Sequence, residues 1–490
     1  MLFNSLHFLA FFSVVTPLYF LLPHRSRAPL LLISSCYFYM VFVPVYILIL
    51  GFTILIDYGA GLLLGQTKGT RRKWLLIASL IANIGVLAVF KYYNFLNESL
   101  GGVLTLWEAR SPFPMLSILL PIGLSFHTFQ AMSYTIEVYR GNQPPERNFL
   151  IYSLYVMFYP QLVAGPIERP QNLLHQFREK HEFDYQRIVD GLKLMAWGLF
   201  KKVVIADRLA PLPDAVFSDV QQYHGLALAL AITAFAIQIY CDFSGYSDIA
   251  IGAARVMGFR LMTNFDRPYH ARTIAEFWRR WHISLSTWFK DYLYIPLGGS
   301  RVSVPRWYLN LVIVFVMSGL WHGPNWTYVI WGLLHAFYLI FGLATQPIRD
   351  ALRRVSGLSA RPTLASGLQM FCTFSLVTLA WVFFRANTVG DALYVLTHLT
   401  QGLGQDLRNL FLHRRLDLGF NLGLDRTDLL IAVAAVAVME FVHWAQYRGS
   451  VTRWVSQKPA YIRWPLYYAA VFTILFLGVH GDRQFIYFQF

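Results

Sequence analysis

The sequence predicts an all-α polytopic membrane protein, and three observations support this class. Of the 490 residues, 56% are hydrophobic and 14% are charged, whereas a soluble domain carries about 25% charged residues. Uncharged runs long enough to cross a bilayer recur along the whole chain. The 41 Lys and Arg residues outnumber the 26 Asp and Glu residues and cluster between these runs, as the positive-inside rule describes. The same pattern argues against intrinsic disorder and against nucleic-acid binding.

About 11 membrane-spanning helices are expected. The first covers residues 6–22 and is taken as a retained span, because the N-terminus lacks the basic segment and cleavage site of a signal peptide. Residues 28–56 carry no charge but contain Pro44, which predicts two helices broken near that proline, the second continuing to Gln66. The remaining expected spans are 74–90, 114–136, 149–167, 220–240, two within 306–349, 362–384, 429–439 and 464–480.

One integral-membrane domain is expected over residues 1–490, because no repeat or low-complexity linker divides the chain. Two crossings separate the basic pair Arg25 and Arg27 from the basic residues of 68–73, so both clusters are expected in the cytoplasm and the N-terminus outside. The three cysteines lie singly in apolar sequence, so neither a disulfide framework nor a metal site is predicted.

A polar segment in the longest uncharged stretch indicates a functional site. Residues 318–327 read SGLWHGPNWT, midway in 42 residues without Asp, Glu, Lys or Arg. The two glycines and the proline are expected to interrupt the helix, and irregular backbone at membrane depth is tolerated only when it is buried in protein or lines a cavity. We therefore predict that His322 lies in a polar pocket flanked by Trp321 and Trp326. The alternative is a structural histidine that is hydrogen-bonded between helices.

A second polar cluster lies on an expected amphipathic helix over residues 273–290. Thr273 and Glu276 form the capping-box pattern that begins a helix. At 100° per residue, the large apolar side chains share one stripe, which we expect to face the helix bundle, with the basic side chains facing away from it. The stripe consists of Trp278, Trp281, Leu285, Trp288 and Phe289, and the basic side chains are Arg279, Arg280 and Lys290.

The other histidines in apolar sequence have two interpretations each. His282 lies at the margin of the aromatic stripe, with Ser286 next on the same side, and either a functional histidine or an interfacial anchor fits this position. His127 and His335 lie within apolar runs and are expected to be core histidines that satisfy their own hydrogen bonds.

Two carboxylates follow an apolar run in residues 240–248, which read YCDFSGYSD. Asp242 and Asp248 form either a catalytic acid/base pair or structural carboxylates that satisfy opened backbone or pair with an arginine. The segment VAGPIERP at residues 163–170 ends another expected span, because its Gly-Pro and Arg-Pro pairs punctuate a helix end.

These motifs resemble the membrane-bound O-acyltransferase (MBOAT) family, and most closely its bacterial alginate O-acetylase-like branch. The residues that carry the resemblance extend over nearly the whole chain, and the beginning MLFNS and the end FIYFQF share it. The four internal motifs are LVAGPIERP (162–170), YCDFSGYSDIAIG (240–252), EFWRRWHISLSTWFKDYLYIPLGG (276–299) and SGLWHGPNWTYVIWGLLHA (318–336).

The resemblance implies a ring of helices around a central tunnel and assigns two site residues. His322 matches the catalytic histidine of the family, and His282 matches the second active-site histidine of this branch. Pro324 departs from the pattern, since members of the branch often carry Ala there. The proline stiffens the break without removing the imidazole, so the assignment stands.

The resemblance also implies acyl transfer to a hydroxyl across a bacterial inner membrane. The expected donor is cytosolic acetyl-CoA, acting as a substrate, with no permanently bound cofactor and no metal. The expected partners are a periplasmic acetyltransferase, a secreted polysaccharide such as alginate, and the lipid bilayer. Neutral imidazole suits the base that the transfer needs, and His282 or Asn325 would donate to the oxyanion. The candidates for contacting the donor are Trp321, Asn325, Trp278 and Ser286.

Alternatives remain open at this point. Within the family they are D-alanyl or acetyl transfer to teichoic acid or peptidoglycan, and outside it a non-catalytic transporter or exporter. A transporter would spread substrate-binding polar groups along a path and would need no single base. No Ser or Cys nucleophile is placed beside a histidine with a third orienting group, which favours direct transfer over a covalent enzyme intermediate.

Overall fold

The computed structural model describes residues 1–108, 111–117, 121–413, 423–481 and 483–486. The regular elements in these residues are helices, and no β-strand is found among them. The first half of the chain forms α1 (Leu6–Leu21), α2 (His24–Met40), α3 (Ile47–Gln66), α4 (Thr70–Leu87), α5 (Tyr93–Leu104), α6 (Leu124–Arg140), α7 (Phe149–Met157), α8 (Pro170–Leu173), α9 (Tyr185–Leu199), α10 (Asp207–Leu209), α11 (Pro211–Ser218) and α12 (Gly225–Met257).

The second half continues the helical pattern. It forms α13 (Ile274–Arg280), α14 (Ile283–Phe289), α15 (Val304–His322), α16 (Trp326–Ala344), α17 (Gln346–Val355), α18 (Pro362–Arg385), α19 (Val389–His398), α20 (Leu403–His413), α21 (Arg426–Gln446), α22 (Val451–Ser456) and α23 (Ala460–Leu477). Short π or 3-10 segments join several of these helices, at Pro44–Tyr46, Ala88–Tyr92, Phe200–Ala206, Pro268–His270 and Lys290–Tyr294.

Eight helical segments in the described part of the chain are long and apolar enough to cross a membrane. They are Pro44–Gln66, Thr70–Trp107, Gly225–Met257, Val304–His322, Trp326–Ala344, Pro362–Arg385, Arg426–Gln446 and Ala460–Leu477, and Leu6–Leu21 is a shorter apolar helix. The last of the eight buries none of its apolar window, which suits a helix that faces lipid tails. The all-α polytopic membrane class is therefore confirmed, whereas the expected number of about 11 spans is not established.

Several expected helix breaks and ends are confirmed. The chain breaks at Pro44 between α2 and α3, and α3 ends at Gln66. The uncharged stretch between Arg306 and Arg349 forms the two helices α15 and α16 around the predicted break. The short apolar run at 429–439 is extended at both ends into α21.

Two expected spans are wrong in their bounds. The span at 114–136 begins only at α6, where Gly123 takes a left-handed conformation with φ 77° before the helix. The span at 149–167 stops with α7, because the chain turns at Phe158 and Pro160 follows two residues later. Proline disfavours helical conformation in the residue before it, so an apolar composition alone overestimated the length of this helix.

The expected span at 220–240 is longer than predicted. α12 runs for 33 residues and contains the whole segment 240–248. Asp242 and Asp248 therefore lie within a continuous helix, so neither of them satisfies an opened backbone. Six positions of helix place them about 120° apart around the axis, so the two carboxylates do not share one face as a catalytic pair would require.

By its internal contacts the chain divides into two compact units. The first comprises Met1–Gly198, Tyr246–Met262 and Gln484–Phe490, and the second comprises Leu199–Gly245 and Thr263–Arg483. The single integral-membrane domain, the cytoplasmic position of residues 68–73 and the tunnel implied by the resemblance stay predictions.

The first unit buries several polar groups that are satisfied internally. The carboxylate of Asp57 accepts hydrogen bonds from Ser79 at 2.6 Å and from Asn83 at 2.9 Å. Glu168, in the motif at 163–170, accepts from the backbone N–H of Met262 at 2.5 Å and from Asn172 at 2.6 Å. The motif thus serves as a structural anchor in the segment between α7 and α8, in line with its structural interpretation.

In the second unit, α15 and α16 pack backbone against backbone. A Cβ at Gly319 would collide with the carbonyl of Tyr328, and a Cβ at Gly332 with the carbonyl of Phe315. Gly319 lies inside the continuous helix α15, so the expectation that it helps to interrupt the helix is wrong. Its missing side chain instead permits the close approach that sets the hairpin carrying His322.

Candidate active site

Three residues between α15 and α16 form the helix break beside His322. The histidine is the last residue of α15, and Gly323 leaves the helix with φ −165° and ψ 155°. Pro324 has no backbone N–H, so the helix does not continue through it. Asn325 then caps α16, because its side-chain oxygen accepts from the backbone N–H of Thr327 at 2.9 Å. The imidazole is thereby held at the end of a helical hairpin.

Aromatic rings surround the His322 side chain, which is 4% exposed. The imidazole lies edge to face with the rings of Trp321, Trp331 and Phe384, at centroid distances of 4.9, 5.0 and 5.1 Å. Trp326, expected at the flank of the pocket, begins α16 with a side chain that is 55% exposed. Three walls around the imidazole are therefore aromatic, and the polarity of the pocket stays a prediction.

His282 lies at a second break, where one continuous helix was expected. α13 ends at Arg280 and α14 begins at Ile283, so the prediction of a single helix over 273–290 is wrong. His282 itself adopts a left-handed conformation with φ 43° and ψ 56°. Such a conformation is uncommon for residues other than glycine, and it persists only where the surrounding structure enforces it.

Hydrogen bonds to Asn264 hold His282 in this left-handed conformation. Its backbone carbonyl accepts from the N–H of Ile283 at 2.9 Å, and its side-chain oxygen accepts from the hydroxyl of Ser284 at 2.9 Å. The same oxygen lies 3.1 Å from Nδ1 of His282. Asparagine therefore fixes both the chain reversal and the orientation of the imidazole. Burial lowers the pKa of His282 to about 3, so the ring is neutral at physiological pH.

The other expectations for residues 273–290 are confirmed except for the reciprocal bond of the capping box and the exposure of Arg280, which is half-buried. Thr273 caps α13 by accepting from the N–H of Glu276 at 3.1 Å, although the carboxylate of Glu276 binds the N–H of Arg272 instead of that of Thr273. The stripe faces the protein interior: Trp281, Leu285, Trp288 and Phe289 are buried, Trp278 is half-buried, and Arg279 and Lys290 are exposed.

One tryptophan contacts both predicted catalytic histidines. The Trp321 ring lies 4.9 Å from the His322 ring and 5.9 Å from the His282 ring. Both imidazoles meet the indole at steep angles of 84° and 71°. The two motifs that the sequence presents separately are therefore brought together at one site.

The same arrangement continues to a third histidine. The Trp331 ring contacts two imidazoles: its centroid lies 5.0 Å from that of His322 and 5.0 Å from that of His335. Trp278 completes the row, since its indole N–H donates to Nδ1 of His335 at 3.2 Å. We call these six rings the His–Trp row: His282, Trp321, His322, Trp331, His335 and Trp278.

Sequence reasoning placed His335 in the core and gave no role to Trp331. His335 is fully buried, so the core placement is confirmed, but among the described residues its Nε2 has no hydrogen-bond partner, and its ring also contacts the site. Trp331 and His335 are four positions apart on α16 and therefore share one helix face. The spacing W-x-x-x-H after the His322 motif could have indicated this.

The other candidates for contacting a donor have structural contacts. The side-chain amide of Asn325 donates to the carbonyl of Asn387 at 3.1 Å, in addition to capping α16. The hydroxyl of Ser286 donates to the carbonyl of Trp281 at 3.1 Å. Of the four candidates, Trp321 and Trp278 belong to the His–Trp row, whereas the contacts described for Asn325 and Ser286 secure local backbone.

The carboxylate of Asp242 pairs with a lysine instead of an arginine. Nζ of Lys202 lies 2.8 Å from Asp242 and 2.9 Å from Asp207, and all three side chains are buried. The lysine lies within a π-helical segment, Phe200–Ala206, which turns it towards α12. This group compensates charge inside the second unit, which supports the structural interpretation of Asp242.

Comparisons with known proteins identify the family. Residues 143–383 match the model of MBOAT, the membrane-bound O-acyltransferase family. The probable alginate O-acetylase AlgI of Pseudomonas aeruginosa is 42% identical over 395 residues, which cover 79% of this chain and 73% of that protein. The chain belongs to the membrane-bound O-acyltransferase family. The residues of this acyltransferase that match the family model include His282, His322 and His335.

Two further relatives extend the comparison. The probable alginate O-acetylase AlgI of Azotobacter vinelandii is 40% identical over 398 residues, covering 80% of this acyltransferase and 76% of that protein. The peptidoglycan O-acetyltransferase of Helicobacter pylori is 37% identical over 434 residues, covering 81% of this acyltransferase and 79% of that protein. The protein is thus a polytopic membrane enzyme that transfers acyl groups to hydroxyls.

Proposed function

We propose that the enzyme O-acetylates a secreted alginate-like polysaccharide from within a bacterial inner membrane. The observation that carries the proposal is the contact of Trp321 with the rings of both His322 and His282. It combines two imidazoles in one buried site, and one of them can act as the base that transfer from a thioester to a hydroxyl needs. The 42% identity to a probable alginate O-acetylase supports the choice of polymer.

In the proposed reaction His322 acts as general base. Its imidazole takes the proton of the acceptor hydroxyl while the hydroxyl oxygen attacks the thioester carbonyl carbon. The resulting oxyanion needs a donor. The neutral His282 ring gives its one N–H, at Nδ1, to the side-chain oxygen of Asn264, so its Nε2 accepts and can orient the acceptor hydroxyl. The Asn325 amide has a second N–H besides the one bonded to Asn387 and is therefore the better candidate for the oxyanion. The C–S bond then breaks, and the departing thiolate recovers the proton from His322. A positioned base of this kind contributes about 10²–10⁴-fold in rate.

The donor is proposed to be acetyl-CoA, which enters from the cytoplasm as a substrate. The aromatic walls around His322 suit the short apolar acetyl group and keep water from the thioester. The acceptor hydroxyl is proposed to belong to a periplasmic acetyltransferase partner, which passes the acetyl group to the polymer. No step of this reaction requires a metal or a permanently bound cofactor.

Peptidoglycan is a second candidate acceptor, because the peptidoglycan O-acetyltransferase of Helicobacter pylori is 37% identical over most of this chain. Transfer of D-alanine to teichoic acid is less favoured, since the relatives described above are named for acetyl transfer. A non-catalytic transporter is disfavoured by membership of an acyltransferase family.

Complementation tests the proposal. The chain is expressed in an alginate-producing bacterium that lacks its own O-acetylase, and the acetyl content of the secreted alginate is measured against an empty-vector control. We expect acetylation to be restored. The same experiment in a strain that lacks peptidoglycan O-acetyltransferase measures the second candidate. Restoration of peptidoglycan acetylation alone would transfer the proposal to that polymer.

An assay on the purified protein distinguishes a wrongly proposed acceptor from a wrongly proposed acetyl-transfer reaction. The chain in lipid nanodiscs is incubated with radiolabelled acetyl-CoA, and the release of free CoA thiol is followed. Thiol release that depends on His322 with neither polymer acetylated would indicate a different acceptor. Absence of any thioester consumption, in the presence of cell extracts that contain the acceptors, would contradict the acetyltransferase proposal.

A further inference from the structure

A cluster of potential metal ligands lies outside the His–Trp row. Among the described residues, His270, Glu440 and His443 present ligand atoms that all lie within 4.8 Å of one another. Nε2 of His270 is 2.6 Å from Oε2 of Glu440, and Nδ1 of His443 is 3.3 Å from Oε1. The three side chains come from two elements, the Pro268–His270 turn and α21, and 170 positions separate His270 from Glu440.

The spacing on α21 directs two of the ligands to one side. Glu440 and His443 are three positions apart, so both project from one helix face. The same Glu-x-x-His pattern supplies metal ligands in the cores of helix bundles. No motif predicted a metal here, because the third ligand lies in a different part of the chain. The earlier expectation of no metal site rested on local spacing alone.

Tyrosine hydroxyls hold the outer nitrogen of each imidazole. The hydroxyl of Tyr240 lies 3.2 Å from Nε2 of His443, and the hydroxyl of Tyr447 lies 3.3 Å from Nδ1 of His270. When an outer nitrogen donates to such a partner, the inner nitrogen is unprotonated and free to bind a metal. Metal-binding histidines usually donate this second N–H to a carboxylate, a backbone carbonyl or water, and the tyrosine hydroxyls take that place here.

The chemistry of the donor set indicates the class of metal. Two imidazoles and one carboxylate are the ligands of three-residue zinc sites, with a fourth position left for water. Zinc bonds of about 2.0–2.1 Å require the ligand atoms to be about 3.3 Å apart. Nδ1 of His443 lies at this distance from Glu440, whereas Nε2 of His270, at 2.6 Å, would move outward by less than about 1 Å to admit the ion. Glu440 is partly exposed, so its carboxylate is not fully enclosed by protein.

We propose that His270, Glu440 and His443 bind one zinc ion. The ion would join α21 to the turn that precedes α13, and α13 leads directly to His282. The ring of Tyr240 lies 6.3 Å from that of Trp281, the neighbour of His282. The site therefore fixes the base of the segment that presents the second histidine of the proposed reaction. Its existence does not depend on which acyl group or polymer the enzyme uses.

Neighbouring cations limit the affinity. The Arg267 guanidinium lies 4.2 Å above the ring of Tyr447, and Nζ of Lys201 lies 5.8 Å from the ring of Tyr240. Each cation is separated from the ligands by one aromatic ring, so both repel the ion without occupying its position. Without the ion, the same three side chains would form only a His–Glu–His hydrogen-bonded chain.

The metal content of the purified protein distinguishes a zinc-bound cluster from a hydrogen-bonded cluster without metal. The chain is purified in detergent with an affinity tag free of histidine, stripped with EDTA, and titrated with Zn²⁺ against a competing dye. We expect about one zinc ion per chain, and a Co²⁺-loaded sample with the strong visible absorption of a four-coordinate site. Glu440→Gln and His443→Asn should each weaken binding more than about 100-fold, and Tyr240→Phe about 10- to 100-fold.

The control variant is His7→Gln, because His7 also contacts a tyrosine hydroxyl, that of Tyr37 at 2.8 Å, but belongs to no metal-ligand cluster of the described residues. It should bind zinc as the wild type does. Wild-type protein that binds no zinc, or binding that survives in both Glu440→Gln and His443→Asn, would overturn the proposal. If these variants do not fold, the Co²⁺ spectrum of the wild type decides, since a hydrogen-bonded chain without a metal site gives none.

Discussion

Trp278 donates its indole N–H to Nδ1 of His335 at 3.2 Å. Because Nδ1 accepts this bond, the neutral His335 ring carries its proton on Nε2. The imidazole is fixed in orientation and lies 5.0 Å from Trp331, which in turn lies 5.0 Å from His322. One hydrogen bond from α13 therefore helps to position a wall of the proposed catalytic pocket.

Trp278→Phe tests this positioning. The substitution keeps an aromatic ring but removes the donor, so we expect a loss of about 0.5–1.5 kcal/mol in stability and a several-fold decrease in kcat with KM little changed. Thermal unfolding in detergent and acyl-transfer kinetics measure the two effects. Trp464→Phe on α23 is the control and should change neither. A rise in KM at constant kcat would instead indicate that Trp278 contacts the donor.

The left-handed conformation of His282 allows its chemical role to be separated from its structural role. His282→Asn removes the imidazole but places a residue that tolerates this conformation, so it should lose activity and keep its melting temperature. His282→Val should lose activity and also about 1–2 kcal/mol of stability, because a branched side chain disfavours φ 43°. Acyl-transfer rates and thermal unfolding are compared for both. Near-normal activity of the Asn variant would mean that His282 only shapes the turn.

The close packing of α15 and α16 gives a prediction about stability alone. Gly332→Ala forces a methyl group into the carbonyl of Phe315, and overpacking of this kind costs about 1–3 kcal/mol. Gly342→Ala on the same helix is the matched control, since nothing lies within 4 Å of the added methyl, and it should stabilise the helix by about 0.5–1 kcal/mol. Equal effects of the two substitutions on thermal unfolding would contradict the proposed hairpin contact.

Sequence reasoning located the site but not its construction. Composition and charge clusters predicted the membrane class, and the break beside His322 was predicted because Gly323 and Pro324 act on the local backbone. The break at His282 was missed, since it is imposed by Asn264, which lies 18 positions away. A capping box and a hydrophobic stripe look the same in a continuous helix and in one that is interrupted by a distant hydrogen bond.

The contacts between motifs could not be predicted from the sequence, because they depend on how distant helices pack. Phe384 forms a wall of the His322 pocket only because α18 packs against α16, and no periodicity within either helix specifies that pairing. For the carboxylate of Asp242, the need for a partner was predicted but the partner was not. Asp242 was recognised as a buried charge in need of a partner, but the partner, Lys202, is turned inward by a π-helical segment that local propensity does not predict.

His322→Ala is the most direct test of the proposed mechanism. It should reduce acetylation of the secreted polymer by about 10²–10⁴-fold, because it removes the only proposed base. The protein should still insert and fold, since the hairpin is held by the Gly319 and Gly332 contacts and by the Asn325 cap. Acetyl content is measured at matched levels of membrane protein.

His127→Ala, which removes another buried imidazole from α6, is the control and should lower stability while leaving acetylation per molecule near normal. Near-normal acetylation with Ala at position 322 would exclude His322 as the base and would leave His282, the other imidazole in contact with Trp321, as the remaining candidate in this pocket.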